Sequence, residues 1–230
     1  MKAVVIPTYN EARNATALVK RIHAEVPGIT IIVVDDNSPD KTADAVRRLP
    51  IDDLHVIVRR NARGYGTAVR DGMVKAMELG ADVIATMDSD FSHDPAALGA
   101  VIAGVENADV AIGSRYVNGV RILNWPMKRL LLSLFANVYV RTILGLPAHD
   151  CTSGFRAYRT ELLKAMNLRT IRSNGYSFLV EMLWRAHLRR ARIREVPIIF
   201  EERREGKSKM GGAVIRESVL MPWKLRLFRR

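Results

Sequence analysis

Short apolar runs rich in Val and Ile alternate with helical segments along the first half of this chain, and this alternation constrains the fold more than any other feature. Five runs are predicted as strands and begin at about residues 2, 30, 55, 83 and 110. The first run alternates little between apolar and polar residues, which is typical of a strand buried on both faces. Strands that alternate with helices at this spacing predict βαβ units, and hence an α/β fold with a mainly parallel sheet flanked by helices.

Polar residues follow most of these runs at the point where the predicted strand ends. Glu11 follows the first run, Asp36 the second, Asp88 and Asp90 the fourth, and Arg115 the fifth. A mainly parallel sheet brings these ends to one edge, and in an open α/β sheet ligands bind in the crevice beyond that edge. We therefore expect these side chains to line one crevice.

Asp88 and Asp90 form a carboxylate pair, one residue apart, at the end of a predicted strand. Two hard oxygen ligands at this position suit a Mg²⁺ or Mn²⁺ ion that carries a diphosphate. The pattern is also common in turns, where Asp accepts a hydrogen bond from its own backbone, and by itself it favours the turn. Because the polar residues at the other strand ends agree with a ligand site, we predict the metal site.

The net charge of +12 is concentrated at the end of the chain, since residues 185–230 hold 14 Lys and Arg but only 5 Glu. A basic tail can meet nucleic acid, an anionic membrane surface or a phosphorylated ligand. A nucleic-acid-binding module predicts a basic groove with aromatic stacking platforms, whereas here acids crowd the strand ends and would repel a polyanion. We expect no specific nucleic acid partner and predict a basic and apolar, membrane-facing segment at 213–230.

The cysteine count and the first residues of the chain indicate the cellular compartment. The single cysteine, Cys151, excludes an internal disulfide framework and a metal site made of several cysteines. The apolar run within residues 1–7 is too short for the core of a signal peptide, and this predicts a cytoplasmic chain.

The run from residue 128 to residue 145 is mostly apolar and has polar residues at four positions spaced four apart, Arg129, Ser133, Asn137 and Arg141. On a helix these four form one polar stripe. The run is too short and too interrupted to span a membrane. It packs in the core or lies in a membrane interface, and we favour the core. The pattern then predicts a polar loop at 148–158, a helix at 176–188 and a strand at 193–200.

Six motifs in order along the chain carry a family resemblance. They are PTYNE at 7–11, VVDDNSPD at 33–40, GYGTA at 64–68, DSDFSH at 88–93, GSRY at 113–116 and SKMGG at 208–212. Together they resemble the landmarks of inverting glycosyltransferases of family 2, which have the Rossmann-like GT-A fold. More narrowly, they resemble the dolichol-phosphate and polyprenyl-phosphate mannose synthases, and the resemblance covers nearly the whole chain.

This resemblance implies a nucleotide-sugar donor, usually GDP-mannose, and a polyprenyl (dolichyl) phosphate acceptor. The implied ligands of Mg²⁺ or Mn²⁺ are Asp88, Asp90 and Ser92, while Arg129 and Ser133 match positions near the acceptor phosphate. The implied catalytic residues are Asp88, Asp90, Arg115 and Asp150. The implied donor-binding residues are Pro7, Tyr9, Glu11, Val34, Asp36, Asp88, Ser89, Asp90, Arg115, Arg203 and Lys209.

The resemblance also divides the chain. It implies a GT-A domain at 1–212, with a nucleotide-sugar-binding half at 1–116 and an acceptor-binding half at 117–212, followed by the interfacial segment at 213–230. It places the protein at the cytoplasmic face of the cell membrane, either as a peripheral protein or anchored by a segment that this sequence does not contain.

The chemistry of such a transfer assigns roles. The diphosphate leaving group gains negative charge as the sugar bond breaks, so a divalent ion together with Arg and Lys stabilises the transition state. The acceptor phosphate is already an anion and needs positioning more than deprotonation. We therefore expect no dedicated general base, with Asp150 as the one residue that could orient or deprotonate the acceptor. A UDP-sugar donor, giving a glucosyl or aminosugar lipid phosphate, is the alternative, because the sequence does not show which base fits beside Asp36.

Overall fold

Strands and helices alternate through most of residues 1–171, 173, 175–202 and 212–227, which the computed structural model describes. The strands are β1 (Lys2–Thr8), β2 (Thr30–Asp35), β3 (Leu54–Val58), β4 (Val83–Thr86), β5 (Val110–Ser114), β6 (Ile122–Leu123), β7 (Arg156–Arg159), β8 (Ile193–Pro197) and β9 (Phe200–Glu201). The α-helices are α1 (Ala12–Glu25), α2 (Thr42–Arg47), α3 (Tyr65–Glu78), α4 (Leu98–Ala103), α5 (Met127–Leu144), α6 (Thr160–Met166), α7 (Gly175–Leu188) and α8 (Gly212–Leu227).

The main sheet has the strand order β3-β2-β1-β4-β7-β5-β8. Its neighbouring strands are parallel except for β7, which runs antiparallel to both β4 and β5. The predicted α/β fold with a mainly parallel sheet is therefore confirmed. The short strands β6 and β9 form a separate parallel pair.

Both faces of the main sheet are covered, which explains why its strands read as nearly continuous apolar runs. Along β1, Ala3 and Val5 belong to the core that includes residues of α3 and α7, whereas Val4 and Ile6 belong to the core that includes residues of α1 and α4. All four side chains are fully buried. Because successive side chains of a strand point to opposite faces, one short run contributes to two core layers.

The strand β7 occupies part of the segment that the sequence predicted as a loop. Arg156 is fully buried, and its guanidinium donates to the carbonyl oxygens of Leu179 and Cys151, both at 2.7 Å. These acceptors make the burial of a charged residue possible. A four-residue strand with Arg at both ends carries no apolar pattern that would mark it. The prediction of a loop at 148–158 was therefore wrong at its C-terminal end.

Helix α5 was predicted to pack in the core, and this is confirmed for Val140, Ile143 and Leu144 near its C-terminal end but wrong for the apolar side of the rest of the helix. Asn137 of the polar stripe is buried, and Arg129 and Ser133 are partly buried. Asn137 faces inward because its Oδ1 accepts a hydrogen bond from the N–H of Cys151 at 2.7 Å. Five apolar residues instead face outward and are between 49% and 66% exposed: Met127, Leu131, Leu132, Phe135 and Val138.

Helix α8, within the predicted interfacial segment, packs against α5 and α7. The hydroxyl of Tyr139 donates to the carbonyl of Val219 and accepts from Nε1 of Trp223, both at 2.9 Å. Val219, Leu220, Trp223 and Leu227 are nevertheless exposed. Helix α8 thus packs on the domain and adds apolar surface to α5. None of the described helices is long and apolar enough to cross a membrane.

Helix α3 approaches the sheet closely at Gly72. A Cβ atom at this position would lie 2.3 Å from Cγ1 of Val5 and 2.9 Å from Cγ2 of Val34. Both valines are fully buried, and close-packed interiors leave such side chains little room to move. The contact therefore fixes how α3, whose N-terminus lies at the strand ends, sits against β1 and β2.

Gly72→Ala is expected to lower the free energy of unfolding by about 1–3 kcal/mol, because the added methyl group overpacks this contact. Denaturant unfolding followed by circular dichroism measures the loss. Gly99→Ala is the control, since no heavy atom lies within 4 Å of a Cβ at that position in α4, and helix propensity favours Ala there by up to about 1 kcal/mol. Equal stability of the two variants would contradict the close approach of α3.

Candidate active site

A cavity of about 500 Å³ opens at the carboxyl ends of β1, β2 and β4. The loops after these strands, the N-terminal turn of α3 and the loop before β7 all contribute to it. Its lining residues are Pro7, Thr8, Tyr9, Glu11, Asp36, Arg63, Gly64, Tyr65, Ala68, Asp88, Ser89, Asp90, Thr152, Gly154, Gly175 and Leu179.

Most of the donor-binding residues implied by the sequence lie in this lining. They are Pro7, Tyr9, Glu11, Asp36, Asp88, Ser89 and Asp90. Val34 is an exception, because it is the last but one residue of β2 and its fully buried side chain packs on α3. Arg115 lies outside the lining but contacts it, whereas Arg203 and Lys209 fall outside the described residues. The binding roles of these residues stay predictions.

Asp36 is held in place by Arg59, a residue that the sequence analysis missed. Both side chains are buried. Nε and Nη2 of Arg59 donate to Oδ1 of Asp36 at 2.7 and 2.5 Å, and the N–H of Gly64 donates to Oδ2 at 2.7 Å. Nη1 of Arg59 also binds Asp71 at 3.1 Å. These contacts fix the orientation of the Asp36 carboxylate at the edge of the cavity.

The neighbouring Asp35 has a structural role instead. It accepts hydrogen bonds from the hydroxyl of Thr8 at 3.0 Å and from the N–H of Ser38 at 2.8 Å, and so joins the loops after β1 and β2. On the same side of the cavity, the guanidinium of Arg63 stacks on the ring of Tyr9, 4.0 Å from its centroid, and hydrogen-bonds its hydroxyl. The two loops therefore present Tyr9 in a defined position.

Asp88 lies on the cavity floor beside Tyr65 and Gly154. The Tyr65 hydroxyl hydrogen-bonds Asp88, and burial together with the nearby Asp88 charge raises the pKa of Tyr65, so the hydroxyl stays protonated. A Cβ atom at Gly154 would lie 2.5 Å from the Tyr65 oxygen and 3.1 Å from Oδ1 of Asp88. The missing side chain at Gly154 thus leaves the room that Asp88 and Tyr65 occupy.

The carboxylate pair fits a divalent cation that is bound together with phosphate oxygens. Asp88 and Asp90 are partly exposed hard oxygen ligands in one polar cavity. Within the described part of the chain, no three His, Cys, Asp or Glu side chains are grouped to hold a metal by themselves. Ligand oxygens would therefore complete the coordination, as is usual for Mg²⁺ in phosphate sites.

The turn interpretation of this motif also describes part of its geometry. The backbone N–H of Ser92 donates to Oδ1 of Asp90 at 3.1 Å, as in an Asp turn. Ser92 itself is buried and does not line the cavity. The turn and the cavity position are compatible, because Asp90 still reaches the lining, whereas the placement of Ser92 gives no support to its predicted role as a metal ligand.

His93 supports the loop after β4 as a neutral ring. It is buried, stacks on Phe155 at 5.1 Å and meets the edge of Phe200 at 5.4 Å between ring centroids. Burial lowers the pKa of His93 despite the nearby carboxylates. Nδ1 lies 3.4 Å from the backbone nitrogen of Asp88 and accepts its hydrogen bond. The ring therefore positions the backbone of the carboxylate pair.

Asp150 is fully buried and anchors Arg115. Nε and Nη2 of Arg115 donate to its two oxygens at 2.7 and 2.6 Å, and the N–H groups of Arg115 and Ser153 donate at 3.0 Å. Burial would raise the pKa of Asp150, but the Arg115 charge and these hydrogen bonds outweigh it and lower that pKa. Such a carboxylate is a poor proton acceptor. It orients Arg115, whose Nη2 reaches the Thr152 hydroxyl of the lining at 2.7 Å.

The two implied acceptor-phosphate residues lie on the inward side of α5, outside the cavity lining. Arg129 forms an ion pair with Glu202 and stacks on Trp125, with 4.1 Å from its guanidinium carbon to the ring centroid. The hydroxyl of Ser133 accepts a hydrogen bond from the Tyr116 hydroxyl at 2.7 Å. Both residues therefore have protein partners in this structure.

Sequence reasoning missed several residues that shape the site. Tyr65 lies in the GYGTA motif, but that motif indicated only a close turn and not a hydroxyl beside Asp88. Thr152 and Gly154 lie in the segment predicted as a loop, where the Ser-Gly break was the one available signal. Arg59 carried no signal, since its partner Asp36 is 23 residues away.

Comparison with known proteins agrees with this geometry. Residues 3–166 match the family described as Glycosyl transferase family 2. The polyprenol monophosphomannose synthase of Mycolicibacterium smegmatis is 44% identical over 220 residues, which cover 94% of this chain and 83% of that protein. The undecaprenyl-phosphate mannosyltransferase of Micrococcus luteus is 41% identical over 94% of this chain and 90% of that protein. The dolichol-phosphate mannosyltransferase of Pyrococcus furiosus is 36% identical over 96% of this chain and 64% of that protein.

Solved structures share the fold at lower identity. The glucosyl-3-phosphoglycerate synthase of Mycobacterium tuberculosis, in complex with Mn²⁺, uridine diphosphate and phosphoglyceric acid, matches with a TM-score of 0.73 at 19% identity, over 98% of this chain and 78% of that one. The complex of the same synthase with Mg²⁺ and uridine diphosphate matches with a TM-score of 0.68 at 21% identity, over 98% of this chain and 79% of that one. From the family match over residues 3–166, the relatives at 36–44% identity and the shared architecture, the chain belongs to glycosyltransferase family 2 and has the GT-A fold.

Proposed function

We propose that the protein transfers mannose from GDP-mannose to a polyprenyl phosphate, with inversion at the sugar carbon, at the cytoplasmic face of a membrane. The observation that carries this proposal is a cavity with a carboxylate pair beside a helix, α5, whose outward face is apolar. The two are in contact, since Nδ2 of Asn137 donates to the Thr152 hydroxyl at 3.3 Å. The names of the relatives support the sugar and the class of acceptor.

The donor half, residues 1–116, would bind the nucleotide sugar. Asp36, held by Arg59, offers carboxylate oxygens to N–H donors of the base, and Tyr9 and Glu11 line the cavity beside it. Asp88 and Asp90 would hold a Mg²⁺ or Mn²⁺ ion at the diphosphate. The chemistry that such an ion supplies is neutralisation of the charge that grows on the leaving diphosphate.

The acceptor half, residues 117–212, would position the lipid phosphate. A phosphate monoester is already an anion near neutral pH, so orientation matters more than proton removal. Arg129 and Ser133 supply a cation and a hydroxyl on α5, and Arg115 supplies a second cation that Asp150 keeps oriented towards the lining. Asp150 thus acts through Arg115 and not as the base.

The outward face of α5 would rest on the membrane. Its exposed apolar residues continue into those of α8, and α5 contains no acidic residue while it carries the exposed Lys128 and Arg141. An apolar surface with basic residues suits an anionic lipid interface. Because Arg129 and Ser133 lie on the same helix, the phosphate of a membrane-held polyprenyl chain would meet them at this surface.

Transfer is tested with radiolabelled donors. The protein with Mg²⁺ or Mn²⁺ and polyprenyl phosphate is expected to move label from GDP-mannose into the organic phase, and Asp90→Ala is expected to lower the rate at least about 100-fold, because it removes charge stabilisation of the leaving group. Asp52→Ala, which changes an exposed acid outside the cavity, is the control and should retain the rate. If only UDP-glucose or UDP-N-acetylglucosamine labels the lipid, the donor is a UDP-sugar and not GDP-mannose. If no donor labels the lipid, polyprenyl phosphate is not the acceptor.

Asp150→Asn is expected to lower kcat about 10- to 100-fold and to leave measurable turnover, because Arg115 loses its charged anchor while no base is lost. Steady-state kinetics with the pH–rate profile measure this, and circular dichroism checks the fold. Asp109→Asn is the matched control, since Asp109 pairs with Arg192 at the surface, where such pairs contribute little. Complete loss of turnover in a folded Asp150→Asn protein would instead identify Asp150 as the base.

Replacing both Leu131 and Phe135 with Glu is expected to weaken binding to vesicles that contain phosphatidylglycerol at least about tenfold, because each buried apolar side chain contributes about 1.5–3 kcal/mol. Liposome flotation measures binding. Leu188→Glu introduces a charge at another exposed apolar residue, at the end of α7, and should change flotation little. Equal flotation of the double variant and the unmodified protein would show that the outward face of α5 does not contact the membrane.

A further inference from the structure

The guanidinium of Arg129, one of the implied acceptor-phosphate groups, is paired with a carboxylate of the protein. Glu202 accepts from Nη1 of Arg129, and both side chains are largely buried, with 28% and 26% of their surface exposed. Glu202 is the residue directly after β9. Its N–H donates to the carbonyl of Leu123 at 3.3 Å, so the pairing of β9 with β6 holds its backbone.

The other side of the pair is held as well. The Arg129 guanidinium stacks on Trp125 at 4.1 Å, and Trp125 meets the edge of Phe200 of β9 with 5.3 Å between ring centroids. The carboxylate and the guanidinium are thus anchored on elements that contact each other. A ligand phosphate that binds Nη1 of Arg129 must therefore compete with a fixed anion for that donor.

We propose that Glu202 is an internal competitor that occupies Arg129 in the absence of the acceptor, weakens the binding of every lipid phosphate there, and is displaced by a phosphate monoester. The inference rests on the proposed function, which supplies the polyprenyl phosphate and the membrane surface. A lipid phosphodiester carries one negative charge, so at Arg129 it would exchange one monoanion for another. A phosphate monoester approaches two negative charges and has three acceptor oxygens, so it gains more from Arg129 than the carboxylate does.

Because Glu202 competes with every anion, each ligand binds Arg129 less tightly than it would without this carboxylate. A phosphate monoester, as the stronger ligand, can still displace Glu202. The apparent affinity of the correct ligand is lowered by the fraction of molecules in which Arg129 is paired. At a membrane surface, where diester headgroups far outnumber polyprenyl phosphate, the competition keeps Arg129 paired with Glu202 in place of the weakly bound diesters.

The test is calorimetric binding to the full chain in the absence of a sugar donor, with geranyl phosphate as the monoester probe and dimethyl phosphate as the diester probe. Glu202→Gln is expected to tighten geranyl phosphate binding about five- to tenfold, since the competing anion is removed. Dimethyl phosphate binding should tighten by about the same factor, because one paired fraction of Arg129 lowers the apparent affinity of both probes.

Two further variants separate displacement from other effects. Glu201→Gln removes the same charge from the neighbouring residue, and successive strand side chains point to opposite faces, so it should change affinity less than about twofold. In an Arg129→Gln background, Glu202→Gln should have no further effect, as expected for groups that act on each other. Equal tightening by both Glu→Gln variants, or weaker geranyl phosphate binding in Glu202→Gln, would overturn the inference.

The same data distinguish failure of the Glu202 competitor from failure of the proposed acceptor. Unmodified protein that binds geranyl phosphate, with a Glu202→Gln variant of equal affinity, would overturn only the competitor. Unmodified protein that binds neither geranyl phosphate nor inorganic phosphate would overturn the proposed acceptor and, with it, the competitor.

Discussion

The buried ion pair between Arg115 and Asp150 connects the parts of the site. Asp150 has no exposed surface, and its N–H donates to Oε1 of Glu195 in β8 at 2.9 Å. The pair therefore ties together the end of β5, the loop before β7 and β8. Loss of one partner would leave an uncompensated buried charge, which typically costs about 3–5 kcal/mol. This contact consequently constrains the loop more than any exposed ion pair could.

That loop contributes Thr152 and Gly154 to the lining of the cavity. The N–H of Ser153 is bound by Asp150, and the carbonyl of the next residue, Gly154, accepts from the Thr86 hydroxyl at 2.6 Å. With its backbone held at both residues, Gly154 cannot withdraw from Asp88, so the close contact between them tolerates no side chain. The space around Asp88 thus depends on an ion pair between Arg115 and Asp150, which lies earlier in the loop.

The sequence predicted the strand-end acids well because a parallel sheet leaves few places for them. Asp36, Asp88 and Asp90 each follow a strand, and the topology alone brings them to one edge. Arg59 could not be predicted in the same way, because its function comes from a partner that only the fold brings near. The strand β7 was missed for a related reason, since the burial of Arg156 depends on carbonyl oxygens of distant segments.

Helix α5 shows where periodicity stops being informative. The spacing of its polar residues gave the helix and the stripe, but not which side faces the protein, because that choice depends on a partner, Cys151, in the loop that Asp150 organises. Asn137 turns inward to satisfy that loop, with Arg129 and Ser133 partly buried on the same side, and Leu131, Leu132, Phe135 and Val138 are left outside. A helix with its side chains is about 10–12 Å wide, so this reversal places Arg129 and Ser133 within one helix width of the apolar surface. The phosphate of a polyprenyl chain lies directly at the end of its hydrocarbon, and a surface of these dimensions can bind the phosphate while the chain stays in the lipid. A helix with its apolar side in the core would have separated the two.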